Sequence, residues 1–434
     1  MGLFGSSGVR GVVNREFTPE LAAMIGMAVG GDARCAVVGM DSRTSGPMIE
    51  AAISSGLMAG GCEVFNAGLV TTPTLAESAR TMNCGVMITA SHNPPEYSGV
   101  KLRNPDGTGF GVEQSKAIER LVESKKFKLK PWDRVGRRHI YNEAVEWHAH
   151  RILRGAGKAS LKVVVDCANG PASTITPMVL HRMGCRVVTI NSNPDGHFPG
   201  RPPEPVDENL GDLKQAVVSM KADLGIAHDG DADRMIAIDD KGVFLGGDQL
   251  LALFAKKFAK KRLVITVDAS MAVEDYVDAK VIRTRVGDVF VSEEVKKKKA
   301  DFGGEPSGTW IFPDQTFCPD GVLAAARLVE LVGRKKLSEI RKKVPVYPII
   351  REATRYDSKF RAIVLKKLEK EVKAIECEDL LTLDGFRLQF EDGWALVRPS
   401  GTEPKIRYLA EARTEKRAKE IMDMISKTVK RCVR

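Results

Sequence analysis

The sequence contains no uninterrupted apolar run of 18 or more residues, so we expect no membrane-spanning helix and no membrane partner. Its first residues, Met1–Ser6, contain no basic segment leading into an apolar one, and a secretory signal peptide is therefore not expected. The eight cysteines form no C-x-x-C pair, which argues against a zinc site or a disulfide framework. Together these absences favour a protein of the reducing cytoplasm.

Aromatic residues are scarce, at 6%, and none lies among the lysines of basic runs such as Lys296–Lys299. Proteins that bind single-stranded nucleic acid stack bases on aromatic side chains beside such basic residues. Although the net charge is +10, these runs are typical of solvent-exposed helix faces, and we expect no nucleic-acid partner. A positive field would instead attract a small phosphorylated substrate.

Three stretches of the chain repeat one order of predicted elements. In each, an apolar strand ends in an aspartate, which is Asp41, Asp166 or Asp268. A helical segment, a second short strand and a third strand that enters a polar loop follow. Strands that alternate with helices predict parallel sheets of βαβ units. Because ligands bind beyond the carboxyl ends of such strands, we expect the three loops to share one cleft.

The first of these loops, residues 89–93, carries Ser91 and His92, and Lys101 follows ten residues after the serine. A hydroxyl on a strand-to-loop turn, with a cation in reach, suits a group that accepts and returns a phosphoryl unit. A simple polar turn is the alternative. A serine hydrolase is disfavoured because no G-x-S-x-G surrounds Ser91. In an extended chain, His92 would also point to the opposite side.

The second loop carries three carboxylates at alternate positions, Asp229, Asp231 and Asp233, and Arg234 follows directly. Clustered carboxylates repel one another unless a cation lies among them, and hard oxygen ligands suit magnesium. An EF-hand is disfavoured because its sixth position needs glycine and its twelfth glutamate. A phosphatase with Asp229 as nucleophile and an ordinary acidic turn stay open. Arg234 offers a planar fork for a phosphate or a carboxylate.

The third loop, residues 303–307, presents Glu305 and Ser307, and a fourth polar loop lies near the carboxyl terminus. That fourth loop combines hydroxyls, backbone N–H groups and cations, which describe a phosphate cradle or a basic turn. Two prolines in residues 343–349 predict a linker before it. A helix at about 357–374, strands at about 380–397 and 405–412, and a closing helix from about 414 predict a small α+β domain.

With these loops placed, the chain resembles the α-D-phosphohexomutase family over essentially its whole length. Four motifs occur in the family's order, namely TASHNPPEYSGVK, DGDADR, GGEPSG and RPSGTEPKIR. The resemblance implies an α/β fold with three repeated α/β domains around a central cleft and a small C-terminal α+β domain. We place the boundaries of these domains at residues 1–150, 151–248, 249–345 and 346–434.

The resemblance also implies a set of functional residues. Ser91 would be the phosphoserine, and its phosphate would bind Mg²⁺ together with Asp229, Asp231 and Asp233. A hexose 1,6-bisphosphate would be the intermediate and activator. The other residues implied are Lys101, Arg10 and His92 for catalysis, Arg234, Glu305, Ser307 and Arg285 for the substrate, and Arg398, Ser400, Gly401, Thr402, Lys405 and Arg407 for the phosphate that does not react.

One position departs from the family pattern. Thr309 stands where some relatives have a histidine after the E-x-S-G of the sugar loop. If that histidine serves as a proton shuttle in those relatives, this chain must use another group. The amino-terminal signature and GGEPSG resemble the phosphoglucosamine mutase branch. We therefore expect interconversion of glucosamine 6-phosphate and glucosamine 1-phosphate by a monomer or homodimer. The alternatives are a phosphomannomutase/phosphoglucomutase, a metal-dependent sugar-phosphate phosphatase, and a binder without catalysis.

Overall fold

The computed structural model of the protein describes residues 3–5, 8–400 and 403–433. These residues form four sheets, one in each of four successive units of the chain. Within the described residues, no helix has the length and apolar character needed to cross a membrane.

Unit 1 is a six-stranded sheet in the order β1-β5-β4-β2-β3-β6. Its strands are β1 (Val9–Val12), β2 (Cys35–Met40), β3 (Glu63–Leu69), β4 (Cys84–Ile88), β5 (Tyr97–Arg103) and β6 (Arg138–Ile140). Its helices are α1 (Pro19–Gly30), α2 (Gly46–Ala59), α3 (Thr72–Ser78), α4 (Val112–Ser124) and α5 (Ala144–Gly155). Glycines let α1 and α2 pack closely, since a Cβ atom on Gly56 would lie 2.2 Å from the carbonyl oxygen of Ala23.

Unit 2 is a five-stranded sheet in the order β11-β10-β9-β7-β8. Its strands are β7 (Lys162–Asp166), β8 (Arg186–Ile190), β9 (Leu224–His228), β10 (Met235–Asp239) and β11 (Phe244–Leu245). Its helices are α6 (Thr176–Arg182) and α7 (Gly211–Ser219). The strand β9 is fully buried, because it pairs with β7 on one side and with β10 on the other.

Unit 3 is a four-stranded sheet in the order β13-β12-β14-β15. Its strands are β12 (Arg262–Thr266), β13 (Lys280–Thr284), β14 (Phe302–Glu305) and β15 (Thr309–Ile311). Its helices are α8 (Gly247–Phe258), α9 (Met271–Tyr276), α10 (Asp288–Lys298), α11 (Gly321–Val332) and α12 (Leu337–Arg341). Units 2 and 3 share one hydrophobic core, in which Phe254 packs edge-on against Trp310 and Phe312.

The predicted repeat is confirmed by the pairing of the strands. In units 1 to 3 the repeat begins with β2, β7 and β12. This first strand of the repeat lies between the second and the third and is parallel to both, as in β3-β2-β4, β8-β7-β9 and β13-β12-β14. The third strand then turns back into an antiparallel strand, β5, β10 or β15. The fold class predicted from the sequence, three repeated α/β units and a smaller fourth, is therefore correct.

Unit 4 is an antiparallel sheet in the order β16-β20-β19-β18-β17, with its own hydrophobic core. Its strands are β16 (Ile349–Arg355), β17 (Asp379–Leu381), β18 (Phe386–Phe390), β19 (Gly393–Pro399) and β20 (Lys405–Ala412), and its helices are α13 (Arg361–Lys373) and α14 (Glu415–Val433). The edge strand β16 was not anticipated, because it begins at the last residue of the predicted linker and is mostly exposed. Of the proposed domain boundaries, 150/151 lies within α5 and 248/249 within α8.

Candidate active site

The loop that carries Ser91 is held by a buried arginine. The guanidinium of Arg43 donates hydrogen bonds to four carbonyl oxygens of this loop, including that of Ser91 at 2.9 Å. Its Nε pairs with Asp41 at 3.1 Å, and Asp41 in turn accepts from the hydroxyl of Thr89 at 2.6 Å. Ser91 itself adopts a left-handed backbone with φ of 52°, which is unfavourable for a residue with a side chain. These bonds keep the serine in that conformation.

The Ser91 hydroxyl points from unit 1 into the acidic loop of unit 2. Its Oγ donates to Oδ2 of Asp229 at 2.6 Å. The other oxygen of Asp229 accepts from the backbone N–H of Arg234 at 3.1 Å. The serine and the aspartate are both buried. The hydroxyl and the three carboxylates therefore belong to one site.

The three carboxylates lie close together, since one oxygen from each of Asp229, Asp231 and Asp233 is within 4.8 Å of the others. Lys101, which lies on β5, places Nζ 2.7 Å from Asp231 and 2.5 Å from Asp233. The hydroxyl of Thr72 donates to the same Oδ2 of Asp231. The remaining oxygen of Asp231, Oδ1, is buried and has no hydrogen-bond partner among the described residues.

Burial and mutual repulsion control ionisation in this cluster. Burial raises the pKa of Asp229 well above its usual range, and the charges of Asp231 and Asp233 raise it further. Burial also opposes ionisation of Asp231, but the charge of Lys101 and its hydrogen bond hold the pKa of Asp231 below the usual range. Burial alone would lower the pKa of Lys101. The negative charges of Asp231 and Asp233 outweigh this effect, and the pKa of Lys101 is raised.

This arrangement fits a divalent cation. Hard carboxylate oxygens are the ligands that magnesium prefers, and a buried oxygen without a partner is rare in proteins unless something binds it. A cation among the three carboxylates would also remove the repulsion that makes the ionised cluster unfavourable. Asp229, Asp231 and Asp233 are therefore the residues that could hold the metal.

His92 and Arg10 complete the surroundings of Ser91. Nδ1 of His92 lies 3.4 Å from Oγ of Ser91. The expectation that His92 points to the opposite side is wrong, because it assumed an extended backbone and Ser91 is left-handed. Burial, with the charges of Arg234, Arg10 and Lys101, lowers the pKa of His92 to about 2, so its imidazole is neutral. Arg10 donates to the side chain of Asn93 at 3.0 Å.

The sugar loop of unit 3 adjoins the acidic loop, since Arg234 and Thr309 form a backbone bridge. Ser307 Oγ lies 3.3 Å from Glu305 and 3.0 Å from Thr309. Oε1 of Glu305 is buried without a hydrogen-bond partner among the described residues. Burial raises the pKa of Glu305 to about 8, with further increases from Asp288 and Asp268. Glu305 is thus a carboxyl group that can donate or accept near neutral pH.

The cations of unit 4 line a cavity of 440 Å³ that Asp268 of unit 3 also lines. Arg398 and Arg407 lie directly opposite each other on β19 and β20, so their side chains share one face of the sheet. Three of the cations, Arg398, Lys405 and Arg407, already have a carboxylate partner. Arg398 pairs with Asp384 at 3.0 Å, and Lys405 and Arg407 pair with Glu403 at 2.6 and 3.3 Å.

The remaining expected phosphate ligands are distributed around this cavity or lie outside the described residues. Ser400 precedes the turn, and its Oγ accepts from the N–H of Glu403 at 3.2 Å. Gly401 and Thr402 are not among the described residues. Arg285 contacts a different part of unit 4. Its Nε donates to the carbonyl of Leu383 at 3.1 Å, and its guanidinium lies over the ring of Phe290.

Several residues that position the site were not found from the sequence. Thr72 gave no signal because nothing in its neighbourhood indicates a contact with a loop 159 residues later. Arg43 lies two residues after the repeated Asp41, but the matching arginine of unit 2, Arg201, lies 35 residues after Asp166. Arg201 bonds Asp166 at 2.8 Å and the carbonyl of His228 at 2.6 Å, so it holds the start of the acidic loop.

The fold and the site together define a phosphoryl-transfer enzyme of the phosphohexomutase type. The fold has three repeated α/β units and a cationic fourth unit, and the site places a serine hydroxyl beside a buried cluster of carboxylates. Family models cover almost the whole chain. Their descriptions are phosphoglucomutase/phosphomannomutase alpha/beta/alpha domain I for residues 1–129, domain II for 141–242, domain III for 246–347, and the C-terminal domain for 353–428. The chain belongs to this phosphoglucomutase/phosphomannomutase family, which confirms the resemblance.

Similar proteins of full length are known. A probable phosphoglucosamine mutase of Methanosarcina acetivorans is 50% identical, with 100% of both chains covered. A phosphoglucosamine mutase of Methanococcus maripaludis is 43% identical, with 98% of this chain and 97% of the relative covered. Among solved structures, a phosphoglucomutase/phosphomannomutase family protein of Burkholderia thailandensis has a TM-score of 0.89 at 26% identity, with 99% of this chain and 97% of the other covered.

Proposed function

We propose that this chain is a phosphoglucosamine mutase that interconverts glucosamine 6-phosphate and glucosamine 1-phosphate. The observation that carries the reaction type is the 2.6 Å hydrogen bond between Ser91 and Asp229 inside the carboxylate cluster. The choice of sugar is supported by relatives of up to 50% identity that carry the name phosphoglucosamine mutase.

In the proposed mechanism, Ser91 carries a phosphoryl group and transfers it to a hydroxyl of the bound sugar phosphate. The P–O bond to Oγ of Ser91 breaks as the bond from phosphorus to the sugar oxygen forms, which gives a 1,6-bisphosphate. The sugar hydroxyl loses its proton in this step and Oγ of Ser91 takes one up, so no net proton is gained or lost. After the intermediate turns over, its other phosphoryl group returns to Ser91. Lys101 and Arg10 stabilise the charge that shifts among the phosphoryl oxygens. The neutral imidazole of His92, whose Nδ1 lies 3.4 Å from the oxygen of Ser91, would position that oxygen and would not itself transfer the proton.

Asp229, Asp231 and Asp233 would hold Mg²⁺ beside the phosphate of Ser91. The bound cation would supply charge neutralisation for the transferring group. Because Oδ2 of Asp231 is already bonded to Lys101 and Thr72, its Oδ1 is the atom left for the metal. Asp229, which accepts from the Ser91 hydroxyl, would change this partner once the serine is phosphorylated.

The substrate would lie between the sugar loop and unit 4. Glu305 and Ser307 would bind the ring hydroxyls, while Arg398, Ser400 and Lys405 would bind the phosphate that does not react, together with Gly401, Thr402 and Arg407. Because each end of the sugar must in turn reach Ser91, these binding residues have to accept the sugar phosphate in two opposite orientations. Asp384 and Glu403 hold the cations in place until a phosphate replaces them as partner.

The test is a coupled assay that compares kcat/KM on glucosamine 1-phosphate, glucose 1-phosphate and mannose 1-phosphate, each with the matching 1,6-bisphosphate as activator. We expect the highest value on glucosamine 1-phosphate. A preference for mannose or glucose 1-phosphate would contradict the choice of sugar but not the mutase reaction. Stoichiometric release of free phosphate that survives Ser91→Ala and is lost in Asp229→Asn would indicate the phosphatase instead.

A further inference from the structure

The carboxylate of Asp268 lies in a part of the cleft where four cations and one other carboxylate, Glu352, line the same cavity. It lies two residues beyond the end of β12 and lines the 440 Å³ cavity together with Arg398, Lys405 and Arg407. Those three cations account for the binding of a phosphate. The other carboxylates near these cations have partners, since Asp384 and Glu403 pair with the cations and Glu352 accepts from the hydroxyls of Tyr408 and Ser426. Asp268 therefore needs a separate explanation.

The equivalent aspartates of the other two units have structural partners. Asp41 pairs with Arg43 at 3.1 Å, and Asp166 pairs with Arg201 at 2.8 Å, and both are buried. Asp268 differs from them, because it is partly exposed and no cation of the described chain forms an ion pair with it. Its Oδ1 accepts from the hydroxyl of Thr266 at 2.5 Å. The buried Arg387 lies within electrostatic range of Asp268, but it bonds the carbonyl oxygens of Val267 and Ala269 and not the carboxylate. Among the described residues, the repeated aspartate of unit 3 therefore lines the cavity without an ion pair.

Other acidic groups near Asp268 also favour the binding of a positively charged ligand group. Its negative charge contributes to the raised pKa of Glu305 in the sugar loop and to that of Asp248 at the start of α8. Glu305 also has the buried oxygen without a partner. Two further acidic groups thus lie within electrostatic range of Asp268, next to the phosphate-binding cations. A ligand that is complementary to these cations and carboxylates carries a phosphate and a positive charge. The positive charge lies one or two bonds from the atom to which the phosphate is attached.

We propose that Asp268 binds the 2-ammonium group of the amino sugar when its 1-phosphate occupies the cavity of unit 4. This inference rests on the proposed function, because it assumes a glucosamine phosphate. The amino group on C2 is adjacent to the C1 that bears the phosphate, so the cations would take the phosphate and Asp268 the ammonium. In the opposite orientation C2 lies toward Ser91, and Asp268 faces C5 and C6 instead.

Asp268 would therefore be a specificity-determining residue. Glucose 1-phosphate offers a neutral hydroxyl at the same place and forms no ion pair there. A charge-assisted hydrogen bond is stronger than a neutral one, so its loss should fall mainly on the amino sugar. Because only one orientation uses the contact, its removal should raise KM for glucosamine 1-phosphate more than KM for glucosamine 6-phosphate. The ratio of the two kcat/KM values stays fixed by the equilibrium constant of the reaction.

The experiment measures kcat/KM on glucosamine 1-phosphate and glucose 1-phosphate for the wild-type protein, for Asp268→Asn and for the smaller Asp268→Ser. Asp278→Asn is the matched control, since it removes an exposed carboxylate of unit 3 that pairs with Lys256 and does not line this cavity. We expect both Asp268 variants to lower the ratio of the two kcat/KM values at least about tenfold, or ~1.4 kcal/mol. The control should retain the wild-type ratio.

An unchanged ratio in folded Asp268 variants, or an equal loss on both sugars, would overturn the inference while leaving the proposed function intact. A wild-type protein that does not turn over glucosamine 1-phosphate but is active on glucose 1-phosphate would instead contradict the proposed function. Circular dichroism and Tm establish that each variant is folded, and the two substitutions give independent measurements of the same contact.

Discussion

Oγ of Ser91 lies 2.6 Å from Oδ2 of Asp229, although the two residues are 138 positions apart and belong to different units of the chain. The contact exists because the third strands of units 1 and 2 end at the same cleft, and each delivers its loop there. Lys101 reinforces the junction, since it lies in unit 1 and binds two carboxylates of unit 2. The Ser91 hydroxyl and the candidate metal site are thus brought together only when both units pack against each other.

Asp231→Asn should abolish the effect of Mg²⁺ on this protein. In the wild type, a ligand that binds only the folded state raises Tm, and we expect such a rise on adding Mg²⁺. The variant loses one charge, and its amide oxygen is needed to accept from Lys101 and Thr72, so an NH2 group replaces the unpartnered Oδ1. The rise should therefore disappear and kcat should fall by at least about 100-fold. Thermal unfolding with and without Mg²⁺ checks this. The exposed Asp212→Asn should behave as the wild type, and an equal rise in Asp231→Asn would contradict the metal assignment.

Arg43→Met should destabilise the protein even though Arg43 does not touch the acidic cluster. Removing one partner of a buried ion pair leaves the other uncompensated, which costs about 3–5 kcal/mol. Arg43 also fixes the loop of Ser91, so kcat should fall more than KM rises. Chemical denaturation and steady-state kinetics test both effects. Arg182→Met, which breaks an exposed pair with Glu146, should change the free energy of unfolding by no more than about 1 kcal/mol.

Glu305 should make stability depend on pH in a defined direction. Its pKa is about 8 in the folded protein and near 4.5 when unperturbed. Between these values the folded state binds more protons than the unfolded state, so stability falls as pH rises from about 4.5 to about 8. Glu305→Gln removes this contribution. Its Tm should gain several degrees relative to wild type between pH 5 and 8.

The control for this pH series is Glu123→Gln, an exposed position on α4 whose Tm should follow that of the wild type at every pH. A constant difference in Tm between Glu305→Gln and wild type across this range would show that Glu305 ionises in the folded protein as it does in the unfolded chain. That result would remove the argument that burial keeps this carboxyl partly protonated near neutral pH.

Sequence patterns predicted the strands that lead into the polar loops, because these strands are buried. The apolar runs before Ser91 and Asp229 are fully buried strands, and buried parallel strands read as continuous apolar segments. The alternation of the three aspartates likewise indicated a cation site before any geometry was known. The edge strands β1, β6 and β16 were missed because short or half-exposed strands have no such signal.

Contacts between distant segments could not be predicted in the same way. Thr72, Arg201 and Asp384 act on the site through hydrogen bonds to residues that lie outside their own sequence neighbourhood, and no local pattern reports such pairs. The backbone conformation of Ser91 could not be predicted from the neighbouring residues in the sequence either. Its left-handed backbone brings His92 to the same side, and it depends on the hydrogen bonds of Arg43.

The central claim is that Ser91 carries the phosphoryl group that is transferred. The most direct measurement is mass spectrometry of the protein after incubation with glucosamine 1,6-bisphosphate and Mg²⁺, with peptide mapping of the modified site. The account predicts the mass of one phosphoryl group on the peptide that contains Ser91, and neither this mass nor mutase activity in folded Ser91→Ala. A Ser91→Ala variant that retains mutase activity, or a phosphoryl group found on Asp229 instead, would contradict it.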